Sequence, residues 1–236
     1  MPRASKRKAA PPSSSSVAAP PPDQSRKRTA KATSKPRLKE SDQIDNLFDT
    51  YANRSLGEID PEGIESLCSD MKVGYTDVRI LMLAWKMKAQ RQGYFTKDEW
   101  QAGLKALKAN TILKLVKALS ELKKEAESPE NFEDFYLFAF KYCLTEEKQK
   151  GVDIESSCEL LKIVLGSQFH SQVDSLVEYL KVQKDYKVIN KDQWMGFLRF
   201  CKEISFPDMA NYDENQAWPL ILDNFVDWKK EKSSSR

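Results

Sequence analysis

The chain has 236 residues, with 38 Lys and Arg against 35 Asp and Glu, one His and a formal net charge of +3, a balance that conceals a tail of +9 over 1–40 and a body of −9 over 41–228. No uninterrupted apolar run exceeds six residues, as at 80–85, which is far below the roughly 20 that a bilayer span requires and excludes a membrane-spanning chain. Only 8 Gly and the lone His170 argue against glycine-rich phosphate cradles and His-based catalysis or metal binding.

Residues 1–40 are rich in Ser, Pro, Ala, Lys and Arg, with Val17 and Leu38 the only aliphatics larger than Ala and no aromatic. Such a segment cannot bury enough surface to fold alone and is read as a disordered basic tail. It has no apolar stretch of the secretory kind, and its Lys clusters and prolines without amphipathic period speak against an organelle transit peptide. Lys6-Arg7-Lys8 and Arg26-Lys27-Arg28 stand about one bipartite spacing apart. That pattern points to importin recognition and to a nuclear and cytoplasmic protein, with a simple solubilising tail as the alternative.

From residue 41 the period is helical. Ile44, Leu47, Phe48 and Tyr51 fall at i, i+3, i+4, i+7, and Ile64, Leu67, Cys68 and Met71 repeat this behind the cap Asp60-Pro61. Further helices are expected near 76–91, 97–108, 111–126, 130–144, 153–165, 168–183, 190–203 and 217–229, with no strand of useful length. The expectation is an all-α fold, one compact helical domain over 41–229 followed by a short basic tail at 230–236. Cys68, Cys143, Cys158 and Cys201 show no CxxC pairing, which implies free thiols and a reducing compartment.

Phe95-Thr96-Lys97-Asp98-Glu99-Trp100 is echoed by Ile189-Asn190-Lys191-Asp192-Gln193-Trp194, a cap with Glu or Gln three positions on and then a Trp. Each marks the loop-to-helix step of an EF-hand-like unit. With Gly93 at the loop's sixth position, Glu99 takes the twelfth, where a bidentate carboxylate belongs, but Lys88, Gln90 and Gln92 take positions one, three and five. The second copy offers Val182, Lys184 and Tyr186, with Gln193 at twelve. Two degenerate units without calcium are expected, and no metal or cofactor.

The segment 79–87 is apolar around most of its circumference and reads as a central helix. Ile80, Leu83, Ala84 and Met87 share one face and Leu81, Met82 and Trp85 another; both serve the core, or one lines a groove. Near the C-terminus Trp218, Ile221, Leu222 and Phe225 can dock inward. Asp223 and Asp227 then lie i, i+4 on an outer face near Asp213-Glu214, which points either to a basic partner or to a solvated face. No catalytic set can be assembled around His170, so no enzyme of its own is expected.

Leu83-Ala84-Trp85-Lys86, the turn from Gly93 to Trp100, Asp134-Phe135-Tyr136, Asn190 to Trp194, and the ending from Asn211-Tyr212-Asp213-Glu214 through Ala217-Trp218-Pro219 to Trp228 resemble the defective-in-cullin-neddylation family and its PONY (potentiating neddylation) domain. The resemblance covers 41–228 and implies a scaffold-type co-ligase that helps a conjugating enzyme pass a ubiquitin-like modifier to a cullin. It implies a cullin-binding patch of Asp192, Ala217 and Asp223, contacting the cullin C-terminal domain. It also implies a pocket for the N-acetylated end of the conjugating enzyme formed by Ile80, Leu83, Ala84, Met87, Gln92, Phe95, Tyr142, Leu160 and Ile163, and a monomer that works without a catalytic side chain. Gln216, where the family commonly has Gly, departs from the pattern. The competing readings are a calcium sensor and a nuclear adaptor whose basic tail binds acidic partners or nucleic acid.

Overall fold

The computed structural model describes residues 39–234. Ten helices and two short strands follow one another: α1 (Glu40–Tyr51), α2 (Pro61–Met71), α3 (Val78–Met87), α4 (Lys97–Ala106), α5 (Ile112–Ala126), α6 (Phe132–Tyr142), β1 (Gly151–Asp153), α7 (Ile154–Leu165), α8 (His170–Val182), β2 (Val188–Asn190), α9 (Lys191–Glu203) and α10 (Leu220–Ser234). The basic clusters Lys6, Arg7, Lys8, Arg26, Lys27 and Arg28 lie outside the described residues.

Side-chain caps set many of these boundaries. Asp60 accepts from the Gly63 N–H at 3.0 Å ahead of Pro61, and the expected capping boxes form at Thr96/Glu99 and Asn190/Gln193. Each supplies acceptors to N–H groups that have no partner inside the first turn. The two tryptophans that follow these boxes are buried, and their indole N–H groups are satisfied by backbone carbonyls. Trp100 donates to Ile44 at 3.2 Å. Trp194 and Tyr136 donate to each other's carbonyls at 3.0 Å, with their rings stacked 4.5 Å apart. These cross-links tie α1 to α4 and α6 to α9.

The helix-loop-helix units come in pairs, and only one member of each pair was legible in the sequence. The α1/α2 loop meets the α3/α4 loop through an antiparallel bridge of Ile59 and Phe95, with both N–H···O bonds at 2.9 Å. The α6/α7 loop meets the α8/α9 loop through β1 and β2, antiparallel with Val152 opposite Ile189. These two strands are three residues each, so the fold remains all-α and no strand of useful length is added. Three-residue strands are too short to show an alternating period, and two loops side by side pair their backbones to satisfy groups that are otherwise buried.

α3 is central, packing against α4, α5 and α6. At the other end, the basic segment assigned to 230–236 continues as helix through Ser234. Lys232 pairs with Glu178 on α8 and lies over the Trp228 ring, and Lys229 donates to Ser175 at 3.0 Å. Cations in the last turn are also favoured by the helix dipole.

Candidate functional site

The first candidate is an apolar pocket of about 200 Å³ where α3, the α3/α4 loop, the end of α6 and α7 converge. Of the nine expected residues, Ile80, Ala84, Gln92, Phe95, Tyr142, Leu160 and Ile163 line it, joined by Ile64, Tyr75, Thr76, Asp77, Leu81, Gly93 and Cys143. Leu83 and Met87 do not line it; both are buried in the core. Successive helical residues are about 100° apart, so Ile80, Ala84 and Leu81 span one arc while Leu83 points about 60° to the other side. Met87 lies a turn further along, against α4 at Gly103, where a Cβ would stand 2.4 Å from Met87 Cγ.

The walls of this pocket carry polar groups that are already engaged. Tyr142 hydroxyl oxygen accepts from the Gly93 N–H at 3.3 Å, which ties α6 to the loop. Gln92 donates to Cys143 Sγ at 3.8 Å. Burial pushes the Cys143 thiol up to about 11, so it is a neutral apolar surface at ordinary pH. Asp77 caps α3 and is gripped by Arg79, with Nη2 to Oδ2 at 2.6 Å and Nε to Oδ1 at 2.9 Å. The Arg79 contact holds that carboxyl below the usual range. Tyr142 also borders a wider groove of about 600 Å³, in which Trp85 donates to Asp134 at 2.8 Å and Lys86 meets Glu125 at 2.5 Å.

The α3/α4 loop replaces an ion with amides. Glu99 Oε1 accepts from the Gln90 N–H at 3.0 Å and Oε2 from the Thr96 N–H at 2.8 Å. Both oxygens that a calcium ion would take are thus spent on the loop's own backbone. Gln193 does the equivalent for Asn190 at 2.9 Å. Among the described residues no group of three or more His, Cys, Asp and Glu side chains is arranged to hold a metal ion.

The second candidate is a cleft of about 410 Å³ beside α9, lined by Asp192, Met195, Gly196, Arg199 and Ala217 among others, with Glu133 contributed by α6. Its shape depends on Gly196. A Cβ there would lie 2.7 Å from Pro219 Cγ, so the missing side chain lets the 211–219 segment lie against α9 and brings Ala217 to the same cleft as Asp192. Arg199 fastens that segment: its Nη2 donates to Gln216 Oε1 at 3.0 Å, its guanidinium lies 4.1 Å from the Trp218 ring centroid, and its Nε pairs with Glu203 at 2.9 Å. Gln216, the departure from the family pattern, is therefore a hydrogen-bond partner here. Asp223 does not line the cleft. It sits on the first turn of α10, half-buried, and accepts from the Tyr212 hydroxyl at 2.6 Å. Burial, and next that bond to Asp223, push the Tyr212 phenol well above its ordinary value. Asp227 is exposed one turn further on. Glu133 and Arg199 were not singled out from sequence, and Tyr212 stood there only as part of the closing motif, since each takes its place through contacts between distant segments.

Comparison with known proteins places this architecture. Residues 114–228 match the family model described as Cullin binding. The chain is 39% identical to human DCN1-like protein 4 over 183 residues, which is 75% of this chain and 59% of that one. It is 34% identical to human DCN1-like protein 5 over 177 residues, 75% of this chain and 73% of that one. With DCN1-like protein 2 of Dictyostelium discoideum the identity is 37% over 175 residues, 74% and 64% of the two chains. The C-terminal half thus matches a PONY-type, Cullin binding domain, carried on an all-helical fold. The chain belongs to the DCN1-like family, although it spans less than two thirds of the length of the first of these relatives.

Proposed function

We propose that this protein is a non-catalytic, scaffold-type co-ligase for cullin neddylation, which binds the cullin C-terminal domain through Asp192, Ala217 and Asp223 and the N-acetylated conjugating enzyme through the apolar pocket. The observation that carries the reading is that pocket. Seven residues drawn from α3, the following loop, α6 and α7 converge on one space of about 200 Å³ whose bordering carboxylate, Asp77, is already neutralised by Arg79. An N-terminal ammonium would lose its hydration there without gaining a counter-charge, whereas acetylation removes the charge and leaves an end that the pocket can bury. For the cullin, ionised carboxylates beside a small Ala suit charge-assisted hydrogen bonds from Lys or Arg at close approach. Rate enhancement then comes from raising the effective concentration of two partners and restricting their orientation. In this reading the chain acts as a monomer, and the basic clusters of the N-terminal region direct it to the nucleus through importin while part of it remains cytoplasmic.

The deciding experiment titrates the purified chain with matched acetylated and free N-terminal peptides of the conjugating enzyme, and separately with the cullin C-terminal domain. Strong preference for the acetylated peptide, together with loss of cullin binding in Asp223→Lys, is the expected outcome. Equal binding of the two peptides, or an unaffected Asp223→Lys, refutes the corresponding half of the proposal. The alternative of an adaptor acting through its basic tail predicts binding that depends steeply on salt and vanishes when residues 1–40 are deleted.

A further inference from the structure

The 211–219 segment links the cleft to Asp223 through a chain of contacts. Trp218 lies under the Arg199 guanidinium, 4.1 Å from its ring centroid, and stacks with Tyr212 at 5.6 Å and 23°. Tyr212 packs in turn against the buried Phe200 ring at 6.0 Å. Its ring is therefore fixed by α9 and by the loop's own Trp. The hydroxyl at the end of that ring reaches across to α10 and donates to Asp223 Oδ1 at 2.6 Å, the short distance typical of an O–H group bound to a charged acceptor.

That bond is the one side-chain hydrogen bond to Asp223 among the described residues. Asp227, one helical turn away on the same face, repels it. Without the phenol no other side-chain hydrogen bond among the described residues would hold the carboxylate, and an unheld Asp side chain in a helix is left mainly two staggered χ1 wells, since the third clashes with the preceding turn. With the phenol, Oδ1 is engaged, and Oδ2 has no hydrogen-bond donor among the described residues.

We propose that Tyr212 is a positioning residue of the carboxylate surface: its hydroxyl holds Asp223 in one rotamer with Oδ2 presented to a Lys or Arg of the partner, and its ring locks that carboxylate to the Asp192 and Ala217 cleft through Trp218. This rests on the cullin-binding reading for its consequence, though not for the contact itself. A carboxylate that spends about half of its time in the competent rotamer binds about twofold more weakly. Loss of the hydroxyl should therefore weaken cullin binding by about two- to tenfold.

The test uses Tyr212→Phe in the full chain, which keeps the stacked ring and removes only the hydroxyl. Two readouts are taken. The Hα–Hβ couplings of Asp223 should report one rotamer in the wild type and averaged values in Tyr212→Phe, with thermal unfolding little changed; couplings that stay the same in both overturn the proposal, whatever the partner does. Affinity for the cullin domain should fall by about two- to tenfold in Tyr212→Phe, and the same substitution made on an Asp223→Ala background, which has no acceptor for the hydroxyl, should cost almost nothing further. Equal loss in both backgrounds would mean that Tyr212 acts by some other route and overturns the proposal as well. A wild-type chain that fails to bind the cullin domain defeats the proposed function, while the couplings still decide whether Tyr212 orders Asp223.

Discussion

Gly196 offers a sharp test of how the carboxylate cleft is built. In Gly196→Ala the new Cβ would stand 2.7 Å from Pro219 Cγ and 3.0 Å from Cδ. Ordinary van der Waals contact begins at 3.4 Å, so the proline ring must retreat by about 0.7 Å. Both atoms belong to a closed ring and cannot rotate aside, so the backbone carrying Ala217 must move with them. Two effects oppose each other in stability: Ala is better than Gly in a helix interior by about 1 kcal/mol, while overpacking costs about 1–3 kcal/mol. The expected net change is a destabilisation of about 0–2 kcal/mol, measured as a shift of the urea midpoint with unchanged slope. Cullin affinity should fall although no charge has been touched, because Ala217 has moved relative to Asp192. Combining Gly196→Ala with Pro219→Ala removes the clashing Cγ and Cδ, and affinity should return to that of Pro219→Ala alone. A Gly196→Ala protein that is about 1 kcal/mol more stable and binds as well as the wild type would refute the idea that this close approach shapes the cleft.

Three further outcomes follow from the sites described. Glu99→Gln removes an ionised acceptor that serves two backbone N–H groups, and should destabilise the chain by about 1–3 kcal/mol in denaturant titration; calcium should leave the unfolding midpoint of either protein where it was, and a calcium-dependent rise would restore the sensor reading. Asp77, held below the usual carboxylate range chiefly by its Arg79 partner, contributes stability that is complete above its unfolded pKa of about 3.9 and is lost as pH falls through the lower folded value; Asp77→Asn should flatten acid unfolding in that window, and an identical acid limb would count against the Arg79 contact. Cys143, with its thiol pushed up to about 11, should alkylate slowly at pH 8, and saturation with the acetylated peptide should slow it further, since it lines the same pocket; labelling indifferent to the peptide would put that ligand elsewhere.

The helices were legible because their signals are local. Asp60-Pro61, Thr96 with Glu99, and Asn190 with Gln193 each state a helix start within four residues, and the structure uses every one of them. Much of the pocket was legible as well, since Ile80 and Ala84 share a face and Gln92 and Phe95 sit in a recognisable turn. What failed was the side of α3 on which Leu83 falls. A helix apolar nearly all round gives no hint of which arc meets α4 and α5 and which is left open, and only the neighbours decide. The same holds for Ile64, Tyr75 and Cys143, which reach the pocket from three separate segments. Glu133 and Arg199 gain meaning only when α6, α9 and the 211–219 segment are brought together. The helical end at 230–234 was hidden because Lys and Ser residues look like a tail until Glu178 and Ser175 stand opposite them.

The degenerate loops bear on mechanism in a way the ligand count alone does not. A calcium-sensing EF-hand is a switch because its twelfth-position carboxylate has no strong partner until the ion arrives, and the helices reorient when it does. Here Glu99 is permanently satisfied by the Gln90 and Thr96 N–H groups. The loop between those groups carries Gln92, Gly93 and Phe95, and Phe95 is pinned again by its paired bonds to Ile59. One wall of the apolar pocket is thus held in place by the chain's own donors rather than by a dissociable cation. A wall formed by the chain's own contacts is preorganised, which lowers the ordering cost of a binding event. That is the property the proposed scaffold role calls for, whereas a sensor needs a loop that changes when its ion binds. The bonds to Glu99 and the pairing of Ile59 with Phe95 therefore keep the EF-hand-like loop, and with it that wall of the pocket, in one shape without an anionic ligand at positions one, three or five.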